Sequence, residues 1–301
     1  MAAQPDPENA AYVRAVHDKG LAFDLGTMSR RRMLAVLGGA GALTLAGGSA
    51  LLGGTAQAAE AACAELVESE TAGPFPADGS NGIDVRTVAG IVRRDIRPSF
   101  GDSTTVAGGV PLRFSLVVSD LSCAPLVGAA VYVWHCDREG RYSLYSSGVT
   151  GENYLRGIQV TDRHGCVSFT SVFPACYSGR WPHIHFEVYS SVADATSGAG
   201  PIRKTSQIAL PEAVADDVYA NAAGYEQSVA NMGQITLSTD MVFGDDLAAR
   251  EMAAVTGDVT CGYRATLAIT VDPTAVEVPG GPGGPGGPPP PSPSPSASAS
   301  A

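Results

Sequence analysis

The chain has 301 residues, with 19 Lys+Arg against 30 Asp+Glu and a formal net charge of −11, a sign that works against binding the phosphate backbone of nucleic acid. Hydrophobic residues make up 45% and charged residues only 16%, so there is apolar surface for a packed core, and a solvated disordered polymer is excluded. Composition is unusual only at the two ends, which leaves residues 59–278 as one globular domain.

Near the N-terminus, Ser29-Arg30-Arg31-Arg32-Met33-Leu34 opens an uncharged, glycine-diluted stretch that runs to Leu52, and Ala56-Gln57-Ala58 supplies the small residues of a cleavage site. Residues 1–58 therefore read as a signal peptide of the twin-arginine type. The glycines argue against a membrane span, and the expected product is a secreted protein with no membrane attachment after cleavage. Twin-arginine export carries folded proteins, which suits a chain whose cofactor is inserted before export.

The middle of the chain has strand periodicity. Leu112, Phe114, Leu116 and Val118 alternate with Arg113, Ser115, Val117 and Ser119; Val131–Trp134, Val167–Thr170 and Ile184–Val188 follow, and Tyr263, Ala265, Leu267, Ile269 and Val271 repeat at period two. Turn formers separate them, at Asp120, at Asp137-Arg138-Glu139-Gly140 and at Asp162-Arg163-His164-Gly165, and only Pro211–Ala223 reads as helical. The expected fold is mainly β, a β-sandwich with short helical segments and long loops. Tyr132 and Trp134 are assigned to its core. Residues 279–301 hold nine of the 21 prolines and no charge or aromatic side chain, the composition of a disordered spacer. Six cysteines, Cys63, Cys123, Cys136, Cys166, Cys176 and Cys261, all follow the cleavage site. Their even number in an oxidising compartment predicts disulfides, and the absence of CxxC spacing argues against a thiolate metal site.

The chemistry gathers around His183-Ile184-His185. On a strand, residues two apart share a face, so both imidazoles point one way while Ile184, Phe186 and Val188 point the other. Tyr177 lies six residues and Arg180 three residues before His183, and a separate strand-turn carries Gly140-Arg141-Tyr142. A same-face histidine pair suits a metal, yet two histidines alone are equally a pair of hydrogen-bonded side chains. A non-catalytic secreted β-sandwich and a Zn or Cu enzyme built on the histidine pair therefore both stand as alternatives.

Trp134-His135-Cys136-Asp137 with Gly140-Arg141-Tyr142-Ser143, then Leu155-Arg156-Gly157-Ile158-Gln159-Val160-Thr161-Asp162, then Tyr177-Ser178-Gly179-Arg180 with His183-Ile184-His185 resembles the intradiol ring-cleavage dioxygenases, in their secreted branch. The resemblance runs from about Ala72 to Leu210 and includes Gly73-Pro74-Phe75. It implies a non-haem Fe(III) held by Tyr142, Tyr177, His183 and His185. It further implies a catechol-type substrate cleaved with O₂ to a muconate-type dicarboxylate, with Tyr177 as the ligand displaced by substrate and Arg180 stabilising negative charge on the ring. Gln207 is similar to the family's glutamine after the histidine strand, at a longer spacing of 22 residues from His185. Two phenolates suit a hard trivalent cation, and they ionise only because the metal holds them. A Zn or Cu site would more often use a third histidine or a carboxylate. The remaining histidines of the exported part are His135, the leading spare ligand should the iron reading fail, and His164, in an expected turn.

Overall fold

The alternation between Pro111 and Ser119 becomes a strand, β1, whose Leu112, Phe114, Leu116 and Val118 are all buried. The computed structural model describes residues 65–277, so the signal peptide, Cys63 and the proline-rich tail lie outside the described residues. In chain order β2 (Ala130–Trp134), β3 (Arg156–Val160), β4 (Cys166–Val172) and β5 (His183–Tyr189) follow. A short helix α1 (Val192–Thr196) leads to β6 (Ile202–Ala209), and α2 (Glu212–Asn221), α3 (Glu226–Met232) and a 3₁₀ turn (Leu237–Thr239) precede β7 (Ala254–Asp258) and β8 (Gly262–Thr270).

Two four-stranded sheets form, in the orders β4-β1-β8-β7 and β3-β2-β5-β6. Only the β1–β8 pairing is parallel, with Leu112 opposite Tyr263 and Ser119 opposite Thr270. Between the sheets, Leu112, Phe114, Leu116, Phe169, Leu267 and Ile269 meet Val131, Val133, Ile184, Phe186, Val188 and Ile208 in one apolar cluster. Burying each such side chain contributes about 1.5–3 kcal/mol. The expected β-sandwich is the fold found.

The second sheet is covered on its other face as well. Ala130, Tyr132, Trp134, Ile158 and Tyr189 pack there against Ala72, Ala77, Val85, Ile91, Tyr142 and Tyr145 from long connections. Every residue of β2 and β5 is consequently buried, and Tyr132 and Trp134 are core residues as expected. The helix expected over Pro211–Ala223 is α2, with Pro211 at its N-cap. Three strands carry no sequence expectation: β3, β6 and β7. β6 reads Ile-Arg-Lys-Thr-Ser-Gln-Ile-Ala, a polar run whose burial comes from its neighbours, and β7 is an exposed edge.

Cys136, Cys166, Cys176 and Cys261 are free thiols. The Cys136 and Cys176 thiols donate to the carbonyls of Ala175 and Arg180. The disulfide expectation therefore contracts to Cys63 and Cys123.

Candidate metal centre

On β5 the period-two rule separates two faces. Ile184, Phe186 and Val188 enter the inter-sheet core, while His183 and His185 point into the layer of loops on the outside of the second sheet. Trp134 lies opposite His185 across the β2–β5 pairing, and its indole stacks on the imidazole with centroids 4.9 Å apart and planes 2° from parallel. Gly73 comes close from the covering loop: at φ +68°, a Cβ built on it would lie 3.4 Å from His185 Cε1.

Tyr142 is delivered by the loop after β2. The Asp137 carboxylate accepts the N–H groups of Glu139 and Arg141 and the Asp137 carbonyl accepts that of Gly140, which closes a tight turn. Gly140 has φ +81°, and a Cβ there would sit 3.1 Å from Tyr177 Cβ. The glycine of Gly-Arg-Tyr thus lets the two tyrosine-bearing loops touch. Tyr177 comes from the β4–β5 connection, where Arg180 N–H donates to the Tyr177 carbonyl. Phe75 lies against Tyr142 and Tyr145, with ring centroids at 5.0 and 5.1 Å.

Four donor atoms meet here. Tyr142 Oη is 3.5 Å from Tyr177 Oη, 3.3 Å from His183 Nε2 and 3.3 Å from His185 Nε2; His183 Nε2 is 3.2 Å from Tyr177 Oη and 3.1 Å from His185 Nε2. Each phenol has a single proton, so these contacts outnumber the protons available to make them hydrogen bonds. Corners of a tetrahedron about 3.3 Å apart lie about 2 Å from its centre, the bond length of a first-row metal to nitrogen or oxygen, and five of the six separations here are of that size. The His183 Nδ1 side is taken up by the Trp181 carbonyl at 2.5 Å, which leaves Nε2 as the free lone pair. His185 Nδ1 has no protein partner.

Burial pushes the Tyr142 phenol well above its ordinary range. Burial also pushes both imidazoles down, and the nearby Arg180 adds to the effect. The Tyr142 phenol and both imidazoles are therefore neutral as they stand, and the imidazoles can bind a cation without first losing a charge-bearing proton from nitrogen. Among the described residues no group of three or more His, Cys, Asp or Glu side chains is placed to hold a metal ion; the oxygens beside the two imidazoles here are those of the phenols. His135, the spare ligand expected from sequence, is not in the set. It is a buried core histidine whose Nδ1 meets the Cys136 carbonyl at 2.7 Å and whose Nε2 meets Ser171 Oγ at 2.6 Å. His164 occupies the expected turn, where its N–H donates to Asp162 Oδ1.

Arg180 is buried beside the donors. Its Nε donates to Asp240 Oδ2 at 3.0 Å and its Nη2 to Gln207 Oε1 at 2.6 Å. Burial works against its charge, but Asp240 together with the Tyr177 and Tyr142 oxygens outweighs that and raises the guanidinium above its usual range. Gln207 stands opposite His185 in the β5–β6 pairing, and its Nε2 donates to the Thr71 carbonyl at 2.8 Å. The residues singled out from sequence, Tyr142, Tyr177, Arg180, His183, His185 and Gln207, thus occupy one place. Asp240 was missed, because nothing in Ser238-Thr239-Asp240 separates it from a surface turn. A groove of about 320 Å³ beside Val67, Arg250, Met252 and Ile269 contains none of these residues.

Residues 97–188 match the family model described as Dioxygenase, a stretch that contains Tyr142, Tyr177, Arg180, His183 and His185. Chlorocatechol 1,2-dioxygenase of Rhodococcus opacus is 36% identical over 69 residues, 23% of this chain, and the match spans only 27% of that relative's length. Among solved structures, an intradiol ring-cleavage dioxygenase from Tetranychus urticae has a TM-score of 0.57 at 22% identity, over 71% of this chain and 98% of that one. A second structure, described as a dioxygenase, has a TM-score of 0.55 at 23% identity, over 71% of this chain and 97% of that one.

Proposed function

Because the chain resembles the intradiol ring-cleavage dioxygenases in sequence pattern and shares their fold, we propose that it is a secreted non-haem Fe(III) dioxygenase. It would cleave catechol-type diols between their two hydroxylated carbons with O₂. The observation that carries this reading is the convergence of two phenol oxygens and two imidazole nitrogens, with five of their six pairs at 3.1–3.5 Å. Tyr142, Tyr177, His183 and His185 are the residues that would hold the metal. Ferric iron, when bound, supplies Lewis acidity toward the diol oxygens and a route for electron density from the ring to O₂.

Tyr142, His183 and His185 are buried, whereas Tyr177 is half-buried. Tyr177 Oη, which would be a phenolate with a metal held here, is therefore the oxygen placed to accept a proton from an incoming diol. Arg180, fixed on two sides by Asp240 and Gln207, holds a positive charge for the negative charge that develops on the ring. Phe75 keeps water from the Tyr142 side. A diol and O₂ together contain every atom of the muconate-type dicarboxylic acid, so no external reductant is required. A twin-arginine signal over residues 1–58, as expected from sequence, would put this activity outside the cell.

The test is the visible spectrum, metal content and O₂ uptake of the purified protein. Phenolate-to-iron charge transfer should colour it red-brown, and an anaerobic catechol should shift the band to longer wavelength. His183→Ala and His185→Ala should lose most of the iron, Tyr142→Phe most of the colour, and Tyr177→Phe should keep some iron but bind catechol slowly. A ferric-reconstituted protein with no visible band, and no O₂ uptake on catechol, protocatechuate, hydroxyquinol and alkylcatechols, would refute the proposal.

A further inference from the structure

The Asp240 carboxylate is fully buried and meets four donors. Its Oδ1 accepts the N–H groups of Val242 and Phe243 at 2.8 and 3.0 Å, which closes its own loop. Its Oδ2 accepts Arg180 Nε at 3.0 Å and Trp181 N–H at 2.6 Å. Trp181 is held at its other end too, where the indole Nε1 donates to the Leu210 carbonyl at 2.8 Å. So fixed, Trp181 presents its carbonyl to His183 Nδ1 at 2.5 Å, and Pro182, with its restricted φ, stiffens the step between them.

We infer that Asp240 is a positioning residue for both halves of the site: through Arg180 it fixes the buried positive charge, and through Trp181 it fixes the ring of His183. Asp240 lies outside the stretch that matches the family model. The inference rests on the dioxygenase reading for the role of Arg180 and on geometry alone for the link to His183. A carboxylate is required because Oδ2 faces two donors, one of them charged. An asparagine that keeps its oxygen on Val242 and Phe243 turns an NH₂ group toward Arg180 and Trp181 and loses both bonds.

Asp240→Asn should therefore lower ferric affinity by about 10-fold or more in chelator competition, the scale seen when a partner of a ligating histidine is removed. It should also lower kcat by about 10- to 100-fold, the loss of one charge-assisted hydrogen bond. Arg180→Lys should lower kcat and leave ferric affinity as in the wild type, because the Trp181 peptide keeps its partner. In the double variant kcat should fall no further than in the worse single variant, since the two residues act as a unit. If Asp240→Asn does not fold, Asp240→Ser retains a hydroxyl acceptor for Val242 and Phe243 and loses the reach to Arg180. A melting-temperature loss with wild-type ferric affinity and kcat would reduce Asp240 to a loop cap and overturn the inference, as would additive losses in kcat. The link to His183 is also read without iron or turnover. In the metal-free protein the downfield NMR resonance of the His183 Nδ1 proton should move or vanish in Asp240→Asn and persist in Arg180→Lys. An unchanged resonance overturns the link even if the wild type cleaves no diol, and a changed one upholds it.

Discussion

Replacing Gly140 by alanine perturbs the site through backbone and contact together, and a second glycine separates the two. Gly140 has φ +81° and Gly148 has φ +83°, so alanine at either position incurs the same left-handed penalty, about 1–2 kcal/mol. For a domain of this size that is a melting-temperature loss of about 2–8 °C. The positions differ in what the new Cβ meets. At Gly140 it lies 3.1 Å from Tyr177 Cβ, tighter than ordinary contact, whereas at Gly148 nothing lies within 4 Å. Gly140→Ala must therefore push Tyr177 aside by a few tenths of an ångström, and Tyr177 Oη is one of the atoms packed against His183 Nε2, at 3.2 Å. Both variants should melt earlier by similar amounts. Only Gly140→Ala should weaken ferric affinity, by about 10-fold, and shift the phenolate-to-iron band. The assay is thermal unfolding of the metal-free proteins followed by ferric titration monitored in the visible. Equal ferric affinity and identical bands in the two variants would refute the reasoning that Gly140 exists to let the tyrosine loops approach.

Burial raises the carboxyl groups of Glu251, to about 7, and Glu70, to about 9, with neighbouring carboxylates adding to both shifts. Each holds a proton in the folded state that the unfolded chain releases from about pH 4.5, so stability should decline as pH rises from about 4.5 toward these values and level off above them. Between pH 7 and 9 Glu251 no longer contributes while Glu70 does, alongside the fully buried Glu187, which burial also raises well above its ordinary range; Glu70→Gln should make the melting-temperature profile less steep there, and an unchanged slope would exclude it as a source. Under denaturing conditions four cysteines should alkylate without reduction and six after it, because Cys136, Cys166, Cys176 and Cys261 are free; six before reduction would remove the expected Cys63–Cys123 bridge. Export should yield a chain beginning at Ala59 by intact mass, and changing Arg30, Arg31 and Arg32 together to Lys should keep the protein in the cell. Efficient secretion of that variant would argue for a general secretory signal instead.

Strands with one apolar face were legible because alternation is a local property. β1 and β8 show it, and their inward residues are the ones expected. β6 was not legible: Arg203, Lys204, Thr205, Ser206 and Gln207 acquire their burial from β5, the covering loops and Glu277, whose carboxylate accepts the Thr205 N–H at 2.6 Å. The same long-range pairing explains Gln207. Its separation from His185 in sequence is large because α1 and the turn after it occupy the interval, and β6 returns to set Gln207 directly opposite His185. Tyr142, Tyr177, His183 and His185 could be proposed as a group because motif spacing carries over between relatives. His135 was misplaced as a spare ligand because the sequence does not reveal Ser171 Oγ waiting at its Nε2. Asp240 gave no signal at all, since its importance lies in two donors that reach it from about 60 residues upstream.

His183 and His185 project from the outer face of the second sheet, while the inner face of the same strand seals the sandwich. Ile184 and His185 are adjacent in the chain, yet they belong to two materials, one dry and aliphatic, the other polar and assembled from loops. Mutational histories of the two can therefore diverge. Aliphatic exchanges at Ile184, Phe186 or Val188 will be judged by how well the sheets fit, and changes in the loops carrying Phe75, Tyr142 and Tyr177 by which aromatic rings they admit. A single seven-residue strand sits under both kinds of selection, and a new substrate range can be explored in the loops without renegotiating how the two sheets meet.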